Sequence, residues 1–388
     1  MKKAICSIYV VIWMLYCVHW FCPGHVPLLD RFSSVLLAIS FMMSLFVIIK
    51  GYNKYGISNV LCDGFFPLIL MFLIYGSLYL AFEDSLYVMG KEVRKGSYLI
   101  GVLRTFVPVY TFYYMVKLGM MNTAMMRKFF FIIYVFLIWL NSRMVFFRGT
   151  TEFTNNMGYD FVYFIPFVLL FRNRPVGMFV LLSSILWFVM SCNKRGAVLI
   201  AVVLTIYILT RVISLRNKKG RVAFILAVIF TIGAVLYVSS YIADNEFFRG
   251  KIEMTVEGDD SGRTIIQRHL LDVMLNRSTI GRLLFGYGAD GTLRIGTNYA
   301  HNDLVEIFVN NGFFGALIFL YFWIRVFGSW IKMRNDKIAF SLYGSIIIAC
   351  FMSSLFSMFY SAIPFYLSMI WGYSVALHED DICKYQES

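Results

Sequence analysis

YAHNDLVEIFVNNGFFGALIFLYFWIRV, residues 299–326, opens with a histidine, an asparagine and two carboxylates and then runs apolar from Leu304 to Val326. At 1.5 Å per residue, ~20 apolar residues in a helix match the ~30 Å hydrocarbon core of a bilayer. The stretch is therefore read as a transmembrane helix over 304–326. Segments of the same kind recur near 4–22, 34–50, 60–82, 98–118, 128–147, 160–171, 176–192, 196–213, 222–242, 338–358 and 361–377. Together they predict an all-α polytopic membrane protein with about twelve helices. The segment at 160–171 is short for a span and is expected to be tilted, broken or joined to its neighbours.

Composition agrees with this. The 388 residues are 60% hydrophobic and 18% aromatic, with only 15% charged and a mean hydropathy of +0.71, which excludes a water-soluble domain. No soluble catalytic domain of ordinary size fits between the spans, so 1–388 is read as a single multi-span domain. Lys2/Lys3, Lys50/Lys54, Lys117/Arg127/Lys128, Arg172/Arg174, the run RVISLRNKKGR at 211–221 and Lys332/Arg334/Lys337 gather on one side. Basic loops mark the cytoplasmic side, which places both termini there.

The net charge of +13 is then a consequence of topology. No aromatic-interleaved basic patch suggests nucleic acid. The first apolar segment follows MKK and ends in VHWFCPG without a small-residue cleavage site, so it reads as a retained span. The seven cysteines lie singly, without metal-type spacing, and read as small apolar residues.

This topology turns 23–33, 83–97, 141–159, the NKRG turn at 193–196, 243–303 and a turn near 359 to the outer face. The segment 243–303, between the ninth and tenth predicted helices, is the longest of these, and loops beyond ~12–15 residues are usually functional or disordered. Within it, TIIQRHLLDVML (264–275) carries Ile265, Leu270 and Val273 with Ile266, Leu271 and Met274 at near-helical spacing, which predicts an amphipathic helix on the membrane surface. GYGADG (286–291) follows as a glycine-rich turn.

Arginines point the same way. Arg104 sits ~9 Å inside the span 98–118, where a charge costs ~2.5–3.5 kcal/mol on insertion scales unless it faces protein, water or an anion. Arg143 lies near the outer end of its span, Arg195 in the outer turn of the 176–213 hairpin, and Arg263 just before the amphipathic segment. Guanidinium groups at one depth suit phosphate oxygens, which they bind bidentately while staying charged. For Arg143 and Arg195, snorkelling to the interface is the competing account, and Arg148 and Arg268 read as solvated.

At the mouth of the helix, Asp303 and Glu306 have the spacing of a capping box, with Asp303 as N-cap. His301 stands ahead of the cap, where the positive end of the helix dipole disfavours imidazolium and attracts anions. A neutral histidine there suits a general base; a solvated loop histidine is the alternative. Gly312 and Gly315 allow close helix packing, and Asn310 and Asn311 can hydrogen-bond across helices or to a sugar.

With these residues in view, the chain resembles the O-antigen ligase and O-antigen polymerase superfamily, most clearly over 176–326. The His-Asn pair, nine intervening residues and Gly-x-x-Gly are matched by His301-Asn302, 303–311 and Gly312-Phe313-Phe314-Gly315. The hairpin turn usually written Ser-x-Ser-Arg-Gly is similar to SCNKRGA here, with Arg195 in the arginine place and Asn193-Lys194 as the departure. SGR before the amphipathic segment supplies Arg263.

The resemblance implies a GT-C-like glycosyltransferase of the bacterial inner membrane that takes an undecaprenyl-diphosphate-linked oligosaccharide on the periplasmic side, without a metal or other cofactor. It implies His301 as the base and Arg195 and Arg263 as diphosphate ligands. Arg104 and Arg143 join them from burial and topology, and Asn302 from its place in the motif. Membrane lipids are expected partners, with a chain-length regulator as a candidate one. The E-x-D-D cluster Glu257, Asp259 and Asp260 reads as a solvated acidic loop, with a metal as the alternative. Polymerisation of repeat units, in O-antigen, capsule or exopolysaccharide assembly, is the leading reading. A ligase that moves finished glycan onto lipid A-core is the second and a lipid-linked glycan flippase the third, although no two-half repeat supports transport.

Overall fold

A computed structural model describes residues 2–21, 27–82, 86–88, 91–93, 96–148, 153–214, 225, 229–230, 232–233, 236–237, 240–256, 262–296, 298–357 and 363–386. The helices in chain order are α1 (Lys2–Phe21), α2 (Pro27–Tyr55), α3 (Asn59–Phe82), α4 (Ser97–Lys117), α5 (Thr123–Arg148), α6 (Met157–Val162), α7 (Pro175–Ser191) and α8 (Arg195–Ser214). They continue as α9 (Glu246–Val256), α10 (Arg263–Asp272), α11 (Ile280–Phe285), α12 (Gly291–Ile295), α13 (Asp303–Lys332), α14 (Lys337–Phe356) and α15 (Phe365–Gln386). Between α3 and α4, β1 (Leu86–Val88) pairs antiparallel with β2 (Lys91–Val93) in the register Leu86 to Val93, so a small hairpin stands where only a loop was expected.

Among the described residues, eight helices are long and apolar enough to cross a membrane: α1–α5, α8, α13 and α14. The expected span at 160–171 is instead α6 followed by a 3-10 segment, Ile165–Phe171, with Pro166 near its start. Pro166 has no N–H to donate, and the irregular backbone is enclosed by α5, α7, α8 and α14, so its polar groups do not face lipid. The apolar helix α7 has 17 residues, shorter than the others. About half of the expected span at 222–242 lies outside the described residues.

The core runs the length of the bundle and is rich in aromatics. Helix α15 lies along α4, where Gly372 brings the Val109 carbonyl oxygen to 2.4 Å from the place of a Cβ atom. One residue earlier, the buried Trp371 packs edge-on against Phe65 of α3, with ring centroids 4.9 Å apart. Helix α13 packs on α3, and Arg325 near its end pairs with Asp63. These contacts hold α13 in the bundle, and His301 lies just ahead of its other end.

Candidate active site

Helix α13 has 30 residues but is not one continuous helix, because Gly312 adopts φ 69° and ψ −165°. That conformation is essentially restricted to glycine. The break frees the carbonyls of the turn before it, and the glycine-rich turn 286–291 fills the gap. Tyr287 N–H donates to Val309 O at 2.8 Å and Gly288 N–H to Asn310 O at 2.9 Å. The Tyr75 hydroxyl of α3 shares its one hydrogen between Phe285 O (2.9 Å) and Asn311 O (3.1 Å), and Thr292 N–H donates to the Asn310 side-chain oxygen (3.1 Å). An open turn within an apolar helix is tolerated because protein donors replace the lost intrahelical bonds.

The two segments cross so closely that a Cβ on Gly312 would stand 2.4 Å from the carbonyl carbon of Leu284, and one on Gly286 2.4 Å from Asn310 O. Gly312 thus admits the backbone of Leu284–Gly286. Gly315 lies against the Asn311 side chain and Met71 of α3.

At the mouth of α13 the N-cap is Asn302, where the spacing had suggested Asp303. The Asn302 side-chain oxygen accepts from Leu304 N–H (3.1 Å) and Val305 N–H (3.2 Å), while its amide donates to Leu355 O (3.3 Å). Asp303 is the first helical residue and is fully buried. Glu306, also fully buried, does not close a capping box. Its oxygens accept from Ala300 N–H (2.9 Å), Thr292 Oγ1 (2.5 Å) and the Asn310 amide (3.3 Å). One register step moves the cap to Asn302, so Glu306 lies too deep to reach the cap's N–H and instead anchors the loop before it. Glu306 therefore ties Ala300, the residue next to His301, to the bundle.

His301 has φ 53°, a left-handed conformation uncommon for a residue with a side chain. Its ring is half-buried, and its pKa is lowered below the ordinary value of 6.5, first by burial and then by Arg263 and Lys194. Arg263, the first residue of α10, donates to the Phe356 carbonyl at 3.1 Å, so the C-terminus of α14 positions it. Lys194 stands 5.9 Å over the ring of Tyr159, whose hydroxyl donates to the same Phe356 carbonyl at 3.4 Å. That hydroxyl also lies 2.4 Å from the place of a Cβ on Gly196, which packs it against the NKRG turn.

The structure therefore brings together His301, Arg263, the NKRG turn with Lys194 and Arg195, Tyr159, and the end of α14. Arg195 is half-buried at the first position of α8. Arg104 lies between α4 and α1, with its guanidinium 3.5 Å from the Tyr16 hydroxyl. Arg143 is exposed over the Phe146 ring at 5.8 Å. Arg268 is exposed, and Glu257, Asp259 and Asp260 lie outside the described residues.

Lys194 and Tyr159 were not singled out by sequence reasoning. Lys194 had a visible signal, because it sits inside the SCNKRGA turn. Tyr159 had none, since it belongs to α6, a short helix whose path through the bundle only packing decides.

The amphipathic segment forms α10 with one continuing π-helical turn, Val273–Arg277. Leu270 and Met274 are buried against Ala300 and Val309, and Ile266 packs beside them. Gln267 donates to Ala300 O at 2.9 Å. The helix therefore seals the His301 loop with its apolar face, while Ile265 remains 73% exposed on the other. Beside it, burial pushes the Asp290 carboxyl up to about 6 against the opposing effect of Arg294.

We expect Arg263→Ala to cut turnover by ten- to a hundredfold, as for loss of a charge-assisted contact worth about 1.5–3 kcal/mol, with Arg263→Lys recovering part of it. Full turnover in Arg263→Ala would remove it from the site. Lys194→Ala is expected to move the acidic limb of the pH–rate profile upwards, because one of the positive charges opposing protonation of His301 is lost. An unshifted limb would separate Lys194 from the histidine.

Residues 177–320 match the family model described as O-Antigen ligase. No curated protein matches the chain.

Proposed function

We propose that this chain is a membrane glycosyltransferase that joins undecaprenyl-diphosphate-linked oligosaccharide repeat units on the periplasmic face of the bacterial inner membrane, a reading supported by the match of residues 177–320 to the family model described as O-Antigen ligase. One observation supports the reading more than any other. His301 is held in a strained loop conformation with its proton affinity lowered, next to Arg263 and Lys194. A base and a group of fixed positive charges are what glycosyl transfer from a diphosphate requires.

In the proposed step, His301 accepts the proton of an acceptor sugar hydroxyl as that oxygen attacks the donor's anomeric carbon. The bond between this carbon and the diphosphate oxygen breaks, and its electron pair leaves with undecaprenyl diphosphate. Arg263, Arg195 and Lys194 offset the negative charge that develops there, and they are already in place before reaction. Burial keeps the imidazole neutral, so it begins the step ready to take a proton. Arg143 is proposed to meet the substrate's phosphates at the membrane interface.

Arg104 is proposed to meet them deeper in the bundle. Arg104→Lys tests this: a loss of about tenfold or more is expected if bidentate phosphate binding matters, and wild-type turnover would make Arg104 a structural partner of Tyr16.

The topology in this proposal has both termini in the cytoplasm and the GT-C architecture of the superfamily, with a chain-length regulator as a candidate partner. A purified preparation that consumes lipid-linked repeat units in detergent supports the glycosyltransferase, and an inert one supports transport. The description of the matched family favours a ligase as second reading, with the same base and donor. A deletion strain separates the two. Loss of the long-chain ladder with one repeat still on its final acceptor supports polymerase, whereas long polymer stranded on the lipid carrier supports ligase.

A further inference from the structure

Beside the NKRG turn is a groove that the proposed chemistry does not use. It has a volume of about 620 Å³ and runs between the end of α7 and residues 237 and 240–247. Trp187 of α7 and Tyr237 stack with centroids 5.3 Å apart and planes 27° from parallel. Tyr241, Asp244, Asn245 and Glu246 complete the wall.

The groove is coupled to the candidate active site through one residue. Tyr241 donates its hydroxyl hydrogen to the Asn193 side-chain oxygen at 2.8 Å, and the Asn245 amide reaches the same atom at 3.4 Å. Asn193 is buried at φ 51° and directly precedes Lys194 and Arg195. A ligand in the groove would therefore lie against the turn that carries the basic residues.

We propose that this groove binds a sugar ring of the substrate's glycan, with Trp187 and Tyr237 as a stacking platform and Asp244 and Asn245 as hydrogen-bonding side chains. The inference rests on the glycan substrate of the preceding reading. Binding pockets for small molecules run from ~300 to 1,000 Å³, with aromatic walls and a few placed polar groups, and this groove has that size and lining. One face of a pyranose is a patch of C–H groups that packs on the electron-rich face of an aromatic ring. The rim of the sugar is hydroxyls, which donate well to carboxylate and amide oxygens.

Charge narrows the class further. Asp244 is exposed, and Glu246 lies 3.8 Å from Arg249 in an exposed pair. A carboxylate-lined wall repels uronic acids and accepts neutral or amino sugars. The diphosphate, by contrast, belongs with Arg263, Lys194 and Arg195. Substrate recognition is thus divided between a basic site for the carrier and an acidic, aromatic groove for the glycan.

The test uses the purified full chain in detergent, with two probes: the oligosaccharide released by mild acid from the lipid carrier of a strain lacking this protein, and undecaprenyl diphosphate alone. Oligosaccharide binding is expected to change tryptophan fluorescence in the wild type, and Trp187→Phe should remove most of that signal. Trp187→Ala and Tyr237→Ala should each weaken oligosaccharide binding and raise KM by about tenfold, the equivalent of about 1.4 kcal/mol. Neither should change kcat or the affinity for undecaprenyl diphosphate. Asp244→Asn, an exposed and nearly isosteric change, should weaken the oligosaccharide without affecting yield.

The proposal is overturned if the oligosaccharide gives no signal that depends on Trp187, or if these variants lower protein yield while leaving binding unchanged, which marks an interfacial aromatic anchor only. Binding at the groove without turnover of lipid-linked glycan would sink the glycosyltransferase reading and leave the groove in place. Turnover with unaltered KM in all the variants would do the reverse.

Discussion

His301→Ala should lower turnover by about a hundred- to ten-thousandfold, the range for loss of a positioned general base, while the protein still accumulates in the membrane. Expression should survive because the loop has other anchors: Glu306 accepts from Ala300 N–H, Gln267 donates to Ala300 O, and Asn302 caps α13. None of these uses the imidazole. The substitution leaves a side chain at φ 53°, where alanine is less at ease than histidine. His301→Asn is therefore the better isosteric control, since asparagine tolerates that conformation but is no base.

The pH dependence has a definite sign. The active form is the neutral imidazole, and burial, Arg263 and Lys194 all oppose its protonation. Activity should therefore persist as pH falls through the ordinary histidine value of 6.5 and be lost only below it. An acidic limb centred above 6.5, or normal glycan assembly by His301→Ala, would show that another group takes the proton.

Gly312→Ala is expected to prevent assembly of the native fold. A Cβ at this position meets the carbonyl carbon and oxygen of Leu284 at 2.4 Å and Gly286 N at 2.5 Å, all backbone atoms. The crossing segment cannot move aside without breaking the bonds from Tyr287 N–H and Gly288 N–H to Val309 O and Asn310 O. Conformational strain adds about 1–3 kcal/mol to overpacking of about 1–3 kcal/mol. Together they come to about 2–6 kcal/mol, which reaches the lower end of the stability of a typical protein, about 5–15 kcal/mol.

Gel-filtration yield and thermal unfolding in detergent measure the effect. Gly328→Ala is the control in the same helix, with nothing within 4 Å of its added methyl, and should be neutral. Wild-type yield and melting for Gly312→Ala would mean that the helix closes its break when the methyl is added.

The motif of histidine, asparagine and two glycines was visible in the sequence, but the roles within it were distributed by packing. Asp303 was read as the cap because it is three residues from Glu306 in the chain. The structure gives the cap to Asn302, and it uses Glu306 to hold Ala300. A single-residue shift of a helix start lies below what side-chain spacing can resolve. Gly312 was read as a packing residue, and the turn GYGADG as a loop, without any sign that one inserts into the other.

The sequence alone determined the membrane class, most of the long helices and the resemblance over 176–326, because these depend on apolar length and local motif. Bilayer thickness sets the first and chain order the last. Only the tertiary structure decided that the segment at 157–171 folds as an interior element, that Lys194 and Tyr159 stand with Arg263 at His301, and that Gly312 is a break filled by another chain segment. Each depends on contacts between residues far apart in the chain, and no spacing along one sequence encodes which distant donor will meet an unpaired carbonyl.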